Sequence, residues 1–228
     1  MTDLTVHTLW VPGVDPLRDE IVARQQATPG VTVCLHTDPT RRGCMANWLT
    51  AVACVMRSEP QPWEVILSDD ADPASPTWVE EMRSACEHAP ARVLGLTHFG
   101  GFGERTLAKG TPYAVGRYWV WGGAIAYRRD FFEEMARWAM PVAQRTGYKH
   151  DDALVEAFAL RNDEPTALAA RAIFDQPVKT SLLGHNTPIR SPNTTIRDAG
   201  PPWDHEPRST RMSRQIDDEI RMMAREEP

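Results

Sequence analysis

The sequence predicts an α/β protein in which helices flank a central, mainly parallel sheet. Short apolar segments typical of buried strands alternate with segments of helical periodicity through roughly the first hundred residues. The connections between these segments are short, as they are in sheets whose strands are joined by helical crossovers. The chain has 228 residues, of which 42% are hydrophobic and 25% charged, and this suffices to bury one such core.

The first half of the chain supplies most of the predicted elements. It opens with an apolar strand at residues 5–11, which Pro12 and Gly13 end, and a helix is predicted from Pro16 to about residue 26. The other elements predicted here are a strand at 31–36, a helix at 47–57, a buried strand at Trp63–Ser68, a helix that opens at 75–77 and runs to about Glu87, and a strand at 92–98.

The second half is less regular. Residues 99–118 are rich in glycine and weakly patterned, so a loop is predicted there. A strand at 119–128, interrupted by Gly122 and Gly123, comes next. It is followed by predicted helices at 131–143 and 152–161 and by a last strand near 171–180.

The end of the chain has a different composition. From Gly184 to Ser213 it is rich in proline, threonine, asparagine and arginine and shows little periodicity. The last residues carry an apolar stripe at helical spacing, formed by Met212, Ile216, Ile220 and Met223. We therefore expect a main domain at 1–187 and a Pro- and Arg-rich tail at 188–228 that ends in a short amphipathic helix.

Composition excludes several classes of protein. No apolar run reaches about 18 residues, and the first residues lack the basic and apolar regions of a signal peptide, so a cytoplasmic, soluble protein without a membrane partner is expected. The four cysteines include no CxxC pair, which favours free thiols over a zinc knuckle or a redox motif. A net charge of −6 is unlike a dedicated nucleic-acid-binding protein, although it is compatible with a local basic strip.

An acidic run directly after a buried strand is the strongest candidate site. Asp69, Asp70 and Asp72 follow Trp63–Ser68, and three such carboxylates repel one another unless a positive group lies between them. Mg²⁺ and Mn²⁺ prefer oxygen ligands and are commonly held by carboxylates together with substrate phosphates. The alternative is an acidic turn that caps the following helix.

A second acidic pair opens a predicted helix. Asp151 and Asp152 follow His150, and either carboxylate could take a proton from a hydroxyl group as a general base. The alternative is ordinary helix capping, for which aspartate is favoured.

Two further segments have both a functional and a structural interpretation. Trp121, Gly122 and Gly123 combine a wide aromatic ring with close backbone approach, which suits a sugar-binding wall as well as a bulge in a core strand. His185 could be a metal ligand or an ordinary exposed histidine. The chain contains no P-loop, HExxH or GxSxG motif.

Taken in order, these segments resemble the GT-A class of glycosyltransferases, and most of all the small glycosyltransferases encoded by bacteriophages. The matching segments are 65–72 (VILSDDAD, a DxD-type motif), 121–127 (WGGAIAY) and 150–154 (HDDAL), within a resemblance that covers about residues 5–190. The resemblance implies a GT-A-like catalytic domain that moves a sugar from a nucleotide-sugar donor, with a UDP-sugar favoured, to an acceptor hydroxyl.

The resemblance also implies roles for the candidate residues. Asp70 and Asp72 would bind Mn²⁺ or Mg²⁺, with His185 as a further ligand and Asp69 nearer the nucleotide. Asp151, or else Asp152, would activate the acceptor. The segment formed by Trp121, Gly122 and Gly123 would line the donor or acceptor pocket.

The acceptor and the reaction class stay open at this point. Bacteriophage enzymes of this kind modify hydroxymethylated bases in DNA, in the host cytoplasm, and the segment from Lys179 to Arg214 has six basic and three acidic residues, a net charge of +3. A saccharide, a small molecule or a protein is the other possible acceptor. The alternative functions are a sugar-phosphate nucleotidyltransferase and a non-catalytic module that binds nucleotide-sugars.

Overall fold

A computed structural model describes residues 4–40, 42–97, 110–116, 123–146 and 151–177. Its strands are β1 (Leu4–Trp10), β2 (Val31–Thr37), β3 (Trp63–Ser68), β4 (Asp72–Pro73), β5 (Val93–Gly95), β6 (Tyr113–Gly116), β7 (Ala124–Arg128), β8 (Thr166–Ala169) and β9 (Phe174–Asp175). Its helices are α1 (Pro16–Ala27), α2 (Cys44–Val55), α3 (Trp78–Glu87), α4 (Arg129–Thr146) and α5 (Asp151–Arg161).

Seven of the strands form the central sheet, in the order β2-β1-β3-β7-β5-β8-β6, and β4 pairs with β9 outside it. The pairings of β1 with β2, β1 with β3 and β5 with β8 are parallel. The strands β7 and β6 run antiparallel to their neighbours, so five of the seven strands point the same way. The predicted α/β fold, with a mixed but mainly parallel sheet between helices, is confirmed.

The two faces of the sheet bury separate cores. One core contains Leu9, Ile66 and Ile125 of the sheet together with side chains of α2, α4 and α5. The other contains Val6, Val65 and alternate residues of the remaining strands, packed against α3. The alternation follows from the pleat of the strands, because successive side chains point to opposite faces.

The connections around β1 place a reversal of strand order between β1 and β3, and sheets of this kind have a crevice at the carboxyl ends of the strands there. Helix α1 leads from β1 to β2 and lies on the face covered by α3, where Thr8 Oγ1 donates to Gln25 Oε1 at 2.9 Å. Helix α2 leads from β2 back to β3 and packs on the opposite face. The strand order therefore reverses between β1 and β3, and in such sheets ligands bind outside the carboxyl ends of the strands at that point.

The first two helices begin at residues that favour a helix start. Asp15 accepts a hydrogen bond from Leu17 N at 2.9 Å, and Pro16 occupies the first turn of α1. Helix α2 begins three residues earlier than predicted, after Gly43, whose φ of 109° suits glycine. No described helix is both long enough and apolar enough to cross a membrane.

Strand β7 lies inside the predicted strand at 119–128, whereas the other strands of the second half differ from the prediction. Strand β6 lies inside the segment 99–118 that was predicted to be a loop, and β8 precedes the predicted last strand at 171–180. Of the described residues of that predicted strand, 171–177, β9 is the part that forms a strand. All four residues of β8 are buried, so β8 lacks the alternation of polar and apolar residues that marks a half-exposed strand.

Candidate functional site

The acidic run lies at the carboxyl end of β3, beside the crevice between β1 and β3. The chain turns there, with Ala71 N donating to Ser68 O at 3.1 Å. The carboxylate of Asp69 points toward the loop that follows β1 and accepts a hydrogen bond from Val11 N at 3.0 Å. Asp69 therefore joins the two loops that border the crevice.

Arg18 of α1 supplies the positive group that the acidic run requires. Its guanidinium contacts Asp69 through Nη1 and Asp70 through Nη2, the second at 3.2 Å. The arginine is 4% exposed and the two carboxylates are buried. Burial raises the pKa of Asp69 above its usual value, although Arg18 and the Val11 amide both favour the ionised form. Two buried carboxylates thus share one guanidinium.

Ser68 connects the acidic run to the glycine segment. Its hydroxyl contacts Asp70 Oδ1 and lies 3.1 Å from Gly123 O, and its backbone N donates to Gly123 O at 2.8 Å. Gln176 donates to Asp70 Oδ1 from the other side at 3.4 Å. The structure therefore brings Asp70 and Gly123 together.

Asp72 lies in a different environment from Asp70. It belongs to β4, directly opposite Asp175 of β9. Arg24 donates to Asp72 Oδ1 from Nε at 3.1 Å and from Nη2 at 2.8 Å, in an ion pair that is partly exposed to solvent. Burial, and then the charge of Asp72, raises the pKa of Asp175. Asp72 and Asp175 form a second pair of adjacent carboxylates.

The donor chemistry of the acidic run fits a hard divalent cation, and Asp72 fits it better than Asp70. Both oxygens of Asp70 accept hydrogen bonds from protein groups, whereas Arg24 contacts only Oδ1 of Asp72. Within the described ranges, the group of three potential ligand atoms that converges within 4.8 Å lies elsewhere, at His7, His36 and Cys54. His185, the further ligand that the resemblance implies, lies outside the described residues, as do Trp121 and Gly122.

The second acidic pair begins helix α5. Cys44 Sγ donates to Asp151 Oδ1 at 3.3 Å, and Asp152 Oδ1 accepts from Ala153 N at 2.8 Å. Burial and the charge of Asp151 raise the pKa of the Cys44 thiol well above its usual value, so this thiol stays protonated. Cys44 begins α2, which follows the carboxyl end of β2, so Asp151 lies at the same edge of the sheet as the acidic run.

Glu156 is a candidate that the sequence analysis missed. It lies one turn after Asp152 in α5, is 3% exposed, and its Oε1 has no hydrogen-bond partner among the described residues. Burial, and then the charge of Asp152, raises the pKa of Glu156 to about 8. The available signal was a single carboxylate within the apolar segment ALVEAFAL, because glutamate is almost never fully buried without a partner.

The protonated state of Glu156 has a consequence for stability. The folded protein holds this proton up to about pH 8, whereas the unfolded chain releases it near the ordinary glutamate pKa of 4.5, so folding should become less favourable as the pH rises between these values. One proton corresponds to about 1.4 kcal/mol per pH unit. In Glu156→Gln this dependence should disappear, so the variant should gain about 2–4 kcal/mol over the native chain between pH 5 and pH 8.

Urea unfolding at several pH values measures both curves. Glu80→Gln, on the exposed face of α3, is the control for removing a carboxylate that water solvates. Parallel pH profiles for the native chain and Glu156→Gln would show that Glu156 is ionised in the folded protein.

No protein-family model matches the chain, and a search of curated proteins found no significant match.

Proposed function

We propose that the chain is a metal-dependent glycosyltransferase that moves a sugar from a nucleotide-sugar donor to an acceptor hydroxyl. The observation that carries the proposal is the position of the acidic run. It follows a buried parallel strand, borders the crevice where the strand order reverses, and contacts Gly123 of the glycine segment through Ser68. The resemblance to GT-A glycosyltransferases associates these same segments with donor binding.

On the donor side, Asp69 and Arg18 fix the shape of the crevice. Asp69 holds the loop after β1 through Val11 N, and Arg18 holds Asp69 against Asp70. Asp72 and Asp70 would hold the divalent metal, and Asp175 lies close enough to Asp72 to add negative charge there. When bound, the metal would neutralise charge on the departing nucleoside diphosphate.

On the acceptor side, the carboxylates of α5 are the proposed proton acceptors. Asp151 and Asp152 lie at the amino end of the helix, where its dipole favours the ionised form. Cys44 donates to Asp151 and orients it. An ionised carboxylate here would take the proton of the acceptor hydroxyl as it attacks the sugar.

A donor and acceptor screen tests the proposal. The full chain is incubated with nucleotide-sugars and Mn²⁺ or Mg²⁺, and with acceptors that include duplex DNA with hydroxymethylated pyrimidines, saccharides, small molecules and proteins. A glycosyltransferase releases nucleoside diphosphate and labels an acceptor. Release of pyrophosphate from a nucleoside triphosphate and a sugar phosphate would instead identify a nucleotidyltransferase, and binding without turnover would identify a binding module.

Asp72→Asn is expected to weaken Mn²⁺-dependent binding of a nucleoside diphosphate by about tenfold or more, since a charged metal ligand is removed. The free energy of unfolding should change by less than about 1 kcal/mol, because partly exposed ion pairs such as Arg24–Asp72 contribute little. Calorimetry with and without EDTA measures the affinity.

Asp130→Asn is the matched control, since Asp130 is an exposed carboxylate that pairs with Arg128 at the opposite edge of the sheet. Unchanged metal-dependent affinity in Asp72→Asn would remove Asp72 from the metal site.

A further inference from the structure

Two histidines meet inside the protein at a place that the proposed function does not use. His7 lies in β1 and His36 in β2, and the Nδ1 atom of His7 is 2.9 Å from the Nε2 atom of His36. The rings stack with their centroids 5.2 Å apart. His7 is 2% exposed and His36 is 7% exposed. The strand register explains the meeting, because His7 pairs with Cys34 and His36 is the second residue after Cys34, on the same face of the sheet.

A thiol completes a group of three. Cys54 of α2 packs over this face, and its Sγ and one ring nitrogen of each histidine lie within 4.8 Å of one another. Cys34 lies directly opposite His7 in β2, next to this group of three. Burial, and then the charge of Cys54, raises the pKa of the Cys34 thiol. Both cysteines are half-buried, which leaves a route from solvent.

The side chains match the ligand preferences of one class of metal. Imidazole nitrogens and thiolates are the ligands of Zn²⁺ and of Co²⁺ in its place, whereas Mg²⁺ and Mn²⁺ prefer oxygen. Burial lowers the pKa of His36, and burial together with the charge of His36 lowers the pKa of His7 to about 4.

The distances also suit a metal. Zinc–nitrogen bonds of 2.0–2.1 Å in a tetrahedral site place two ligand nitrogens about 3.3 Å apart. The two rings need to separate by only a few tenths of an ångström from their 2.9 Å contact.

We propose that His7, His36 and Cys54 form a zinc site, with Cys34 as the fourth ligand, separate from the acidic run at the edge of the sheet. The metal would join the C-terminal half of α2 to β1 and β2. On binding, each cysteine thiol exchanges its proton for a bond to zinc, and that proton is released to solvent. The proton of the His7–His36 hydrogen bond moves to the other nitrogen of the ring that donates it. His7 Nδ1 and His36 Nε2 can then both face the metal.

Titration of the metal-free full chain with Co²⁺ tests the site. The expected result is a thiolate-to-cobalt charge-transfer band together with the d–d bands of tetrahedral cobalt, which saturate at one Co²⁺ per chain and disappear when Zn²⁺ is added. Oxygen ligands give no thiolate band, so cobalt bound at the acidic run is not mistaken for this site. Sugar transfer is not a readout, so failure of this proposal and failure of the glycosyltransferase proposal are distinguishable.

Variants assign the ligands. Cys54→Ser should lower the thiolate band to about half, since Cys34 would still supply one thiolate, and His36→Gln should weaken Co²⁺ binding by about 100-fold. The double variant Cys34→Ser/Cys54→Ser should abolish the band. Cys86→Ala, a buried thiol in the core on the other face of the sheet, is the matched control and should keep the band. Zn²⁺ should raise the Tm of the native chain and leave that of Cys34→Ser/Cys54→Ser unchanged, which provides a second readout if the histidine variant does not fold.

Absence of a thiolate band in the native chain, or its persistence at full intensity in Cys54→Ser, would overturn the proposal. The two histidines would then be a buried hydrogen-bonded pair.

Discussion

Replacing Arg18 by methionine is expected to lower the free energy of unfolding by about 3–5 kcal/mol at neutral pH. The methionine keeps the apolar contacts of the side chain but leaves Asp69 and Asp70 buried without their shared guanidinium. Because the pKa of Asp69 is already raised by burial, it should rise further in the variant. The loss of stability should therefore be smaller at pH 5 than at pH 8, and urea unfolding at the two pH values measures it.

The neighbouring ion pair supplies the control. Arg24→Met removes the partner of Asp72, but this pair is partly exposed, so the expected loss is less than about 1 kcal/mol. Adding Asp69→Asn and Asp70→Asn to Arg18→Met should restore much of the lost stability, since no buried charge is then left. Equal effects of Arg18→Met and Arg24→Met would show that Arg18 is not the counterion of the acidic run.

Asp151→Asn or Asp152→Asn is expected to reduce sugar transfer by about 100-fold or more, because the amide cannot accept the proton of the acceptor. This prediction depends on the proposed function. Asparagine caps helices nearly as well as aspartate, so the free energy of unfolding should change little. Single-turnover transfer from the donor found in the screen, measured beside donor affinity, separates loss of chemistry from loss of binding.

Asp163→Asn makes the same substitution at an exposed position two residues after the end of α5 and should keep full activity. Near-native turnover in both Asp151→Asn and Asp152→Asn would place the base elsewhere. Glu156 would then be the next carboxyl group to test, as it lies one turn further into the helix.

The sequence predicted the first half of the fold well because its strands have strong local patterns. Strand β3 is a continuous apolar segment that ends at the acidic run, and its bounds agree with the prediction. Strand β8 gives no such pattern, since it has two alanines among its four buried residues and forms only between its neighbours β5 and β6. Short strands of this kind depend on their tertiary surroundings more than on propensity.

The candidate site was predictable only where its residues adjoin in sequence. Asp69 and Asp70 are visible as neighbours after β3, but their partner Arg18 precedes Asp69 by 51 positions and has no motif of its own. His7 and His36 are likewise joined only by strand register. Metal binding by Asp70 and Asp72 stays a prediction.

Strand order has a consequence for synthesis of the chain. Strand β8 is made after β5, β6 and β7, yet it lies between β5 and β6, and the segment that follows it supplies Gln176 to Asp70. Until β8 has left the ribosome, β6 has no neighbour in the sheet and the edge of β5 is exposed. The acidic run is synthesised early, but Asp70 gains its hydrogen bond from Gln176 only after β8 has been made. Nascent chains that stop before β8 should need protection from aggregation until translation resumes.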